Sequence, residues 1–146
     1  MAKNFLTIEI EGVSDLIYKL VKFGDKGKAA VKDITQIKAK DIEADAKRNA
    51  PVDLGKLKQG IEAWKINTYT WEVVAKEPYS PYVEFGTGTK VKIPPGWEEI
   101  AIEFKSPRDH NVNLPARPYL RPAFDKSAKL YEKDLKKALE RLIKKI

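Results

Sequence analysis

The sequence has no cysteine and a single histidine among its 146 residues. Without cysteine there is no disulfide framework, no thiol nucleophile and no cysteine-ligated zinc. The one imidazole, His110, sits in the polar stretch Ser106-Pro107-Arg108-Asp109-His110-Asn111, which reads as a solvated loop with no companion ligand for a metal. Long apolar runs are also missing. No stretch approaches the roughly 20 residues that cross a bilayer. Met1-Ala2-Lys3-Asn4-Phe5-Leu6 runs straight into alternating Thr7-Ile8-Glu9-Ile10-Glu11, without the apolar core of a signal peptide. The expectation is a soluble chain made in the cytosol, with no membrane contact, no metal and no cofactor.

Catalytic signatures are scarce in the same way. A Ser-His-Asp arrangement needs a base beside a nucleophile held in a strained turn, and His110 has no such neighbour. Nothing marks a pair among the 21 acidic residues as a catalytic dyad. Gly86-Thr87-Gly88-Thr89-Lys90 is too glycine-poor for a phosphate loop and is not followed by a helical pattern, so it reads as a strand-ending loop. No catalytic residue is assigned, and the chain is expected not to be an enzyme.

What is present describes one globular domain over residues 1–146. Apolar residues make up 42% and charged residues 34%, enough of the former to offset the entropy of ordering a chain. The formal net charge is +7. The basic residues are mostly Lys interspersed with Glu and Asp, the pattern of solvated helix faces rather than of Arg clusters with aromatics between them. A small basic nucleic-acid-binding domain is nevertheless the alternative function, and it predicts micromolar, salt-sensitive duplex binding.

Residues 5–11 alternate as a half-buried strand that Gly12 ends. A helix follows, capped by Ser14 or Asp15, with Val13, Leu16, Ile17, Leu20 and Val21 in one stripe. Gly24 and Gly27 interrupt it. Residues 28–49 form a second helix, or continue the first after a kink, and Pro51 stops it. Ala50-Pro51-Val52-Asp53-Leu54-Gly55 is a turn. Leu57 to Asn67 and Thr70 to Ala75 read as two strands joined near residues 67–69, and Tyr82-Val83-Glu84-Phe85 as a third. Residues 87–115 carry Pro94-Pro95-Gly96, Pro107 and Pro115. They are expected to form a long loop or protruding hairpin, with a short apolar run at Ile100-Ala101-Ile102-Glu103-Phe104. The last element is the clearest. Phe124, Ala128, Tyr131, Leu135, Ala138, Leu139, Leu142, Ile143 and Ile146 lie three and four apart and predict a helix over about 123–145. Its other faces hold nine Lys and Arg against four Asp and Glu between Arg121 and Lys145. The fold class is α+β: an antiparallel sheet with a long N-terminal helix, straight or kinked, and an amphipathic C-terminal helix packed on one face.

Three segments occur in order: Ala50-Pro51-Val52-Asp53-Leu54-Gly55-Lys56-Leu57-Lys58-Gln59-Gly60-Ile61, Tyr79-Ser80-Pro81-Tyr82-Val83-Glu84-Phe85-Gly86-Thr87-Gly88, and Pro115-Ala116-Arg117-Pro118-Tyr119-Leu120-Arg121-Pro122-Ala123-Phe124-Asp125. Read locally, the first is a turn. Tyr82, Phe85 and Tyr119 are core or interface aromatics. Glu84 and Arg121 form an ion pair or reach a neighbouring subunit, and Pro122 suits the first turn of the last helix. Together the three segments resemble the gene-product-ten-like family of lambdoid phage tail components, also described as head–tail joining, neck or tail-completion proteins. The resemblance spans about residues 13–145. Leu54, Gly60, Tyr119 and Phe124 replace the family's usual Thr, Ser, Phe and Leu, and residues 89–114 are longer than in many members.

The resemblance implies a structural virion protein located at the head–tail junction and made in the host bacterial cytoplasm. It implies a ring of six copies, closed by head-to-tail contacts, through which DNA passes. The partners it implies are other copies of the chain, an adjoining head-closure or connector protein, and a tail-tube or tail-terminator protein. The resemblance accommodates neck, head-closure and tail-terminator roles alike. Residues expected at such contacts are Tyr82, Glu84, Phe85, Thr87, Arg117 and Arg121. Lys136, Lys137, Lys144 and Lys145 are candidates for charge facing transient, sequence-blind contacts with DNA in the lumen.

Overall fold

The computed structural model describes residues 14–87, Pro95 and 115–145, together with the backbone of residues 6–9. His110, residues 88–94, the apolar run at 100–104 and almost all of the 87–115 excursion lie outside the described residues. The elements are β1 (Leu6–Glu9), α1 (Ser14–Val21), α2 (Asp25–Asn49), α3 (Gly55–Gln59), β2 (Ile61–Asn67), β3 (Thr70–Ala75), α4 (Ser80–Phe85) and α5 (Leu120–Lys144). The architecture is α+β, with an antiparallel sheet, a long N-terminal helix and a C-terminal helix packed against it.

The sheet has the order β1-β3-β2, with both pairings antiparallel. β3 is therefore the central strand, with Leu6 and Ile61 both opposite Ala75. A register irregularity falls between Lys65 and Asn67, where the hairpin turns, and the Asn67 side chain there accepts the Tyr69 N–H at 3.0 Å. At the other end, the Lys76 N–H donates to the Gly60 carbonyl at 3.0 Å. Hydrogen-bonded pairs alternate along an antiparallel ladder, so the Ala63 N–H points away from β3. It is taken by Glu43 Oε2 of α2 at 2.5 Å, which blunts that edge at its middle.

α2 and α5 are each 25 residues long and lie antiparallel. Asn49 reaches Tyr119, Lys126 pairs with Asp45 at 3.6 Å, and Lys38 pairs with Asp134 at 2.8 Å. Between the two helices the buried hydroxyls of Thr35 and Tyr131 meet at 2.5 Å, which satisfies two polar groups that would otherwise be costly to bury. The core forms two clusters along this pair. One gathers Ile42, Ala46, Leu57, Ile61, Val73, Phe85, Tyr119 and Leu120 where the sheet meets the helices; the other gathers Leu20, Val31, Tyr131 and Leu135 toward the far end.

α1 and α2 are separate helices rather than one kinked helix. The break is at Gly24, whose φ of 76° few other residues adopt. Gly27 does not interrupt; it lies inside α2, where a Cβ would sit 1.7 Å from the Leu20 carbonyl oxygen. α2 ends at Asn49, with Ala50 extended just before Pro51, as the steric demand of proline requires. α5 begins three residues earlier than the apolar period indicates, and Pro122 sits in its first turn.

Two expected strands are different. The strand expected over 57–67 opens instead with a helical turn, α3, and becomes a strand only at Ile61. Leu57 and Ile61 are both buried, and two residues four apart fit a period of two and a helical turn equally well. Tyr82-Val83-Glu84-Phe85, expected as a strand, belongs to helix α4. Pro81 at its first turn favours helix. Phe85 and Glu84 are both buried, which a strand exposing one face would not allow.

Candidate functional site

The three sequence segments meet in space at the start of α5. α4 brings Glu84 there, 2% exposed. Its Oε2 accepts the Tyr119 N–H at 2.8 Å, and its Oε1 accepts the N–H groups of Leu120 at 3.0 Å and Arg121 at 2.5 Å. The first N–H groups of a helix have no partner within it, and no side chain of α5 caps them. Glu84 binds the first three, and the next residue, Pro122, has no N–H to satisfy. The carboxylate also faces the positive end of the helix dipole. Burial pushes the Glu84 carboxyl above its ordinary range, and the three N–H groups and the Arg121 charge pull it part of the way back.

The surrounding contacts tie the same point to the rest of the fold. The Arg117 N–H donates to the Val83 carbonyl at 2.8 Å. The Arg117 guanidinium reaches Asp53 Oδ1 in the Pro51–Leu54 turn at 2.7 Å. That hydrogen bond, followed by one from the Asp53 backbone, holds the Asp53 carboxyl below its usual value. Asn49 Nδ2, at the end of α2, donates to the Tyr119 carbonyl at 3.2 Å. The Tyr119 ring is fully buried and its hydroxyl donates to the Ser80 carbonyl at 3.5 Å; burial raises the phenol's pKa. The Ser80 hydroxyl is buried and has no hydrogen-bond partner among the described residues.

Sequence reasoning places Glu84 and Arg121 in an ion pair or at a neighbouring subunit. They do meet, but through the Arg121 backbone; the Arg121 guanidinium faces Asp125 at 3.5 Å. Of the residues expected at contacts, Glu84, Phe85 and Thr87 are buried within the chain. Tyr82 is 39% exposed, and Arg117 is exposed beside Asp53. The roles of Asp53 and Asn49 were not visible in the sequence, because their partners lie 64 and 70 residues away and no local pattern encodes that pairing. Lys136, Lys137 and Lys144 on α5 and Lys145 just after it are all exposed, far from this junction.

Both Glu84 oxygens are occupied by backbone donors. Among the described residues no group of three His, Asp or Glu side chains is placed to hold a metal ion. No helix there is long and apolar enough to cross a membrane.

A family model described as "Bacteriophage HK97-gp10, putative tail-component" matches residues 14–86. The match is half of the chain, shorter than the 13–145 span of the motif resemblance, and it runs from α1 to α4. It contains the first motif segment and the second as far as Gly86, and the Glu84 and Asp53 contacts join the third to them. No curated protein and no solved structure matches the chain. The chain belongs to the HK97 gp10-like family of bacteriophage tail components.

Proposed function

We propose that this tail component is a non-enzymatic subunit of a ring at the head–tail junction. The ring has six copies and encloses the path of the DNA. One observation carries the reading. The buried carboxylate, the buried tyrosine and the ion pair contributed by the three motif segments are all spent on holding α5 against α4 and the turn after α2. A fold that uses its buried polar groups to fix one helix against its surroundings suits a part whose work is to keep a shape under load.

Closed rings arise when a surface on one copy fits a different surface on the next with a rotation that closes. The exposed surface beside the junction, with Val52 fully exposed and Tyr82 partly so, is the proposed contact for an adjoining copy or for the head-closure, connector or tail-tube neighbour. Glu43 caps the middle of the β2 edge, so side chains rather than continuous strand addition carry the contact there.

Deleting the gene from the phage and imaging the lysate tests this. The expected result is DNA-filled heads and tails that fail to join, restored when the chain is supplied in trans. Normal infectious particles from the deletion would overturn it.

A further inference from the structure

The outer face of α5 carries a run of lysines with a definite geometry. At about 100° per residue, Lys126, Lys129, Lys133, Lys136, Lys137 and Lys144 fall within about 100° of arc on the helix. The buried residues Ala123, Ser127, Tyr131 and Leu135 occupy the opposite side. All six lysines are exposed. One acid, Glu140, shares the arc. Lys136 leans on Glu132 at 3.1 Å and Lys126 on Asp45 at 3.6 Å. Lys129, Lys133, Lys137 and Lys144 have no ion-pair partner among the described residues. The run covers about 27 Å at 1.5 Å per residue, the length of about eight base pairs of duplex.

We infer that this lysine stripe is a docking surface for the phosphate backbone of duplex DNA. Charge complementarity selects the occupant. The cations are compact ammonium groups on flexible stems rather than planar guanidinium forks, which suits phosphates approached from varying directions and carries no sequence readout. A protein partner of similar extent would need a central apolar or aromatic anchor; the exposed Leu130 and Ile143 lie outside the two edges of the arc, one on each side, and its centre has none. The surface includes three lysines, Lys126, Lys129 and Lys133, besides the lumen candidates Lys136, Lys137 and Lys144; Lys145, one residue past the end of the helix, falls outside the arc. The inference rests on the junction reading only for the source of the DNA.

The test is titration of the full-length chain with two unrelated fluorescent duplexes at 50 and 200 mM salt. Three phosphate contacts per chain predict a log–log salt slope of about −2.7, hence about a fortyfold loss of affinity across that range, the same for both sequences. Lys129→Glu, Lys133→Glu and Lys137→Glu together are expected to weaken binding at 50 mM at least tenfold. Lys26→Glu, Lys28→Glu and Lys32→Glu on α2 make the same change in net charge and are expected to cost far less. Far-ultraviolet circular dichroism checks the folding of both, and the Gln versions of the α5 set provide a milder variant.

Equal losses from the two sets, or binding indifferent to salt, would overturn the inference. So would absence of duplex binding at 50 mM while the α5 variant still blocks head–tail joining, which would assign the stripe to a protein neighbour. Submicromolar binding at 200 mM that depends on the α5 lysines would support the surface but replace the ring with a free-standing DNA-binding protein.

Discussion

A carboxylate at a helix start is favourable for the dipole and for the unpaired N–H groups, yet expensive to bury. At Glu84 both apply, and the three N–H partners offset only part of the cost of burial. Glu84→Ala leaves three donors buried without a partner and is expected to lower stability by about 3 kcal/mol, read as the shift in a denaturant midpoint. Glu84→Gln keeps one acceptor and is expected to cost less. The pH dependence has a definite sign. The Glu84 carboxyl is raised in the folded chain, so the native state holds its proton more tightly than the unfolded one. Its stabilising contribution is full below the ordinary carboxylate range and is lost as pH rises through the higher native value. The stability advantage of the natural chain over Glu84→Gln should therefore shrink as pH rises from about 4 to 7. A growing advantage would show that the N–H groups outweigh burial. Ser80 gives the opposite kind of test. Its hydroxyl is buried without a partner among the described residues, so Ser80→Ala should be neutral or stabilising by up to about 1 kcal/mol in thermal unfolding.

At the scale of elements, legibility followed the strength of the period. α5 was readable because its apolar positions recur over more than six turns, and the end of α2 because Pro51 dictates it. α3 and α4 were not, because five or six residues give too few repeats to separate two from 3.6. The break between α1 and α2 shows why two glycines of similar appearance differ. Gly24 has space around it but a left-handed φ, whereas Gly27 meets the Leu20 carbonyl. Gly24→Ala is expected to cost about 1 kcal/mol from backbone strain. Gly27→Ala should cost more, because α1 has to move away from α2. Comparing the two unfolding midpoints checks the order, and a reversed order would mean that α1 is not held where the structure has it. The motif segments were visible as a set, but their meeting at one point was not. A turn, a short helix and a helix start far apart in sequence carry no local mark of contact.

For the whole molecule, the proposed ring needs a tail component that is fixed internally so that its outer surfaces can be matched by neighbours. The internal part is the junction of Glu84, Tyr119, Arg117 and Asp53, and the outward parts are the surface beside it and the lysine stripe of α5. Cryo-electron microscopy of purified virions, with averaging about the tail axis, tests this most directly. The expected result is a closed ring of copies of this chain between head and tail, with α2 and α5 packed as here and the Lys129–Lys137 face toward the channel. Intact virions whose junction contains no density for this chain would contradict it.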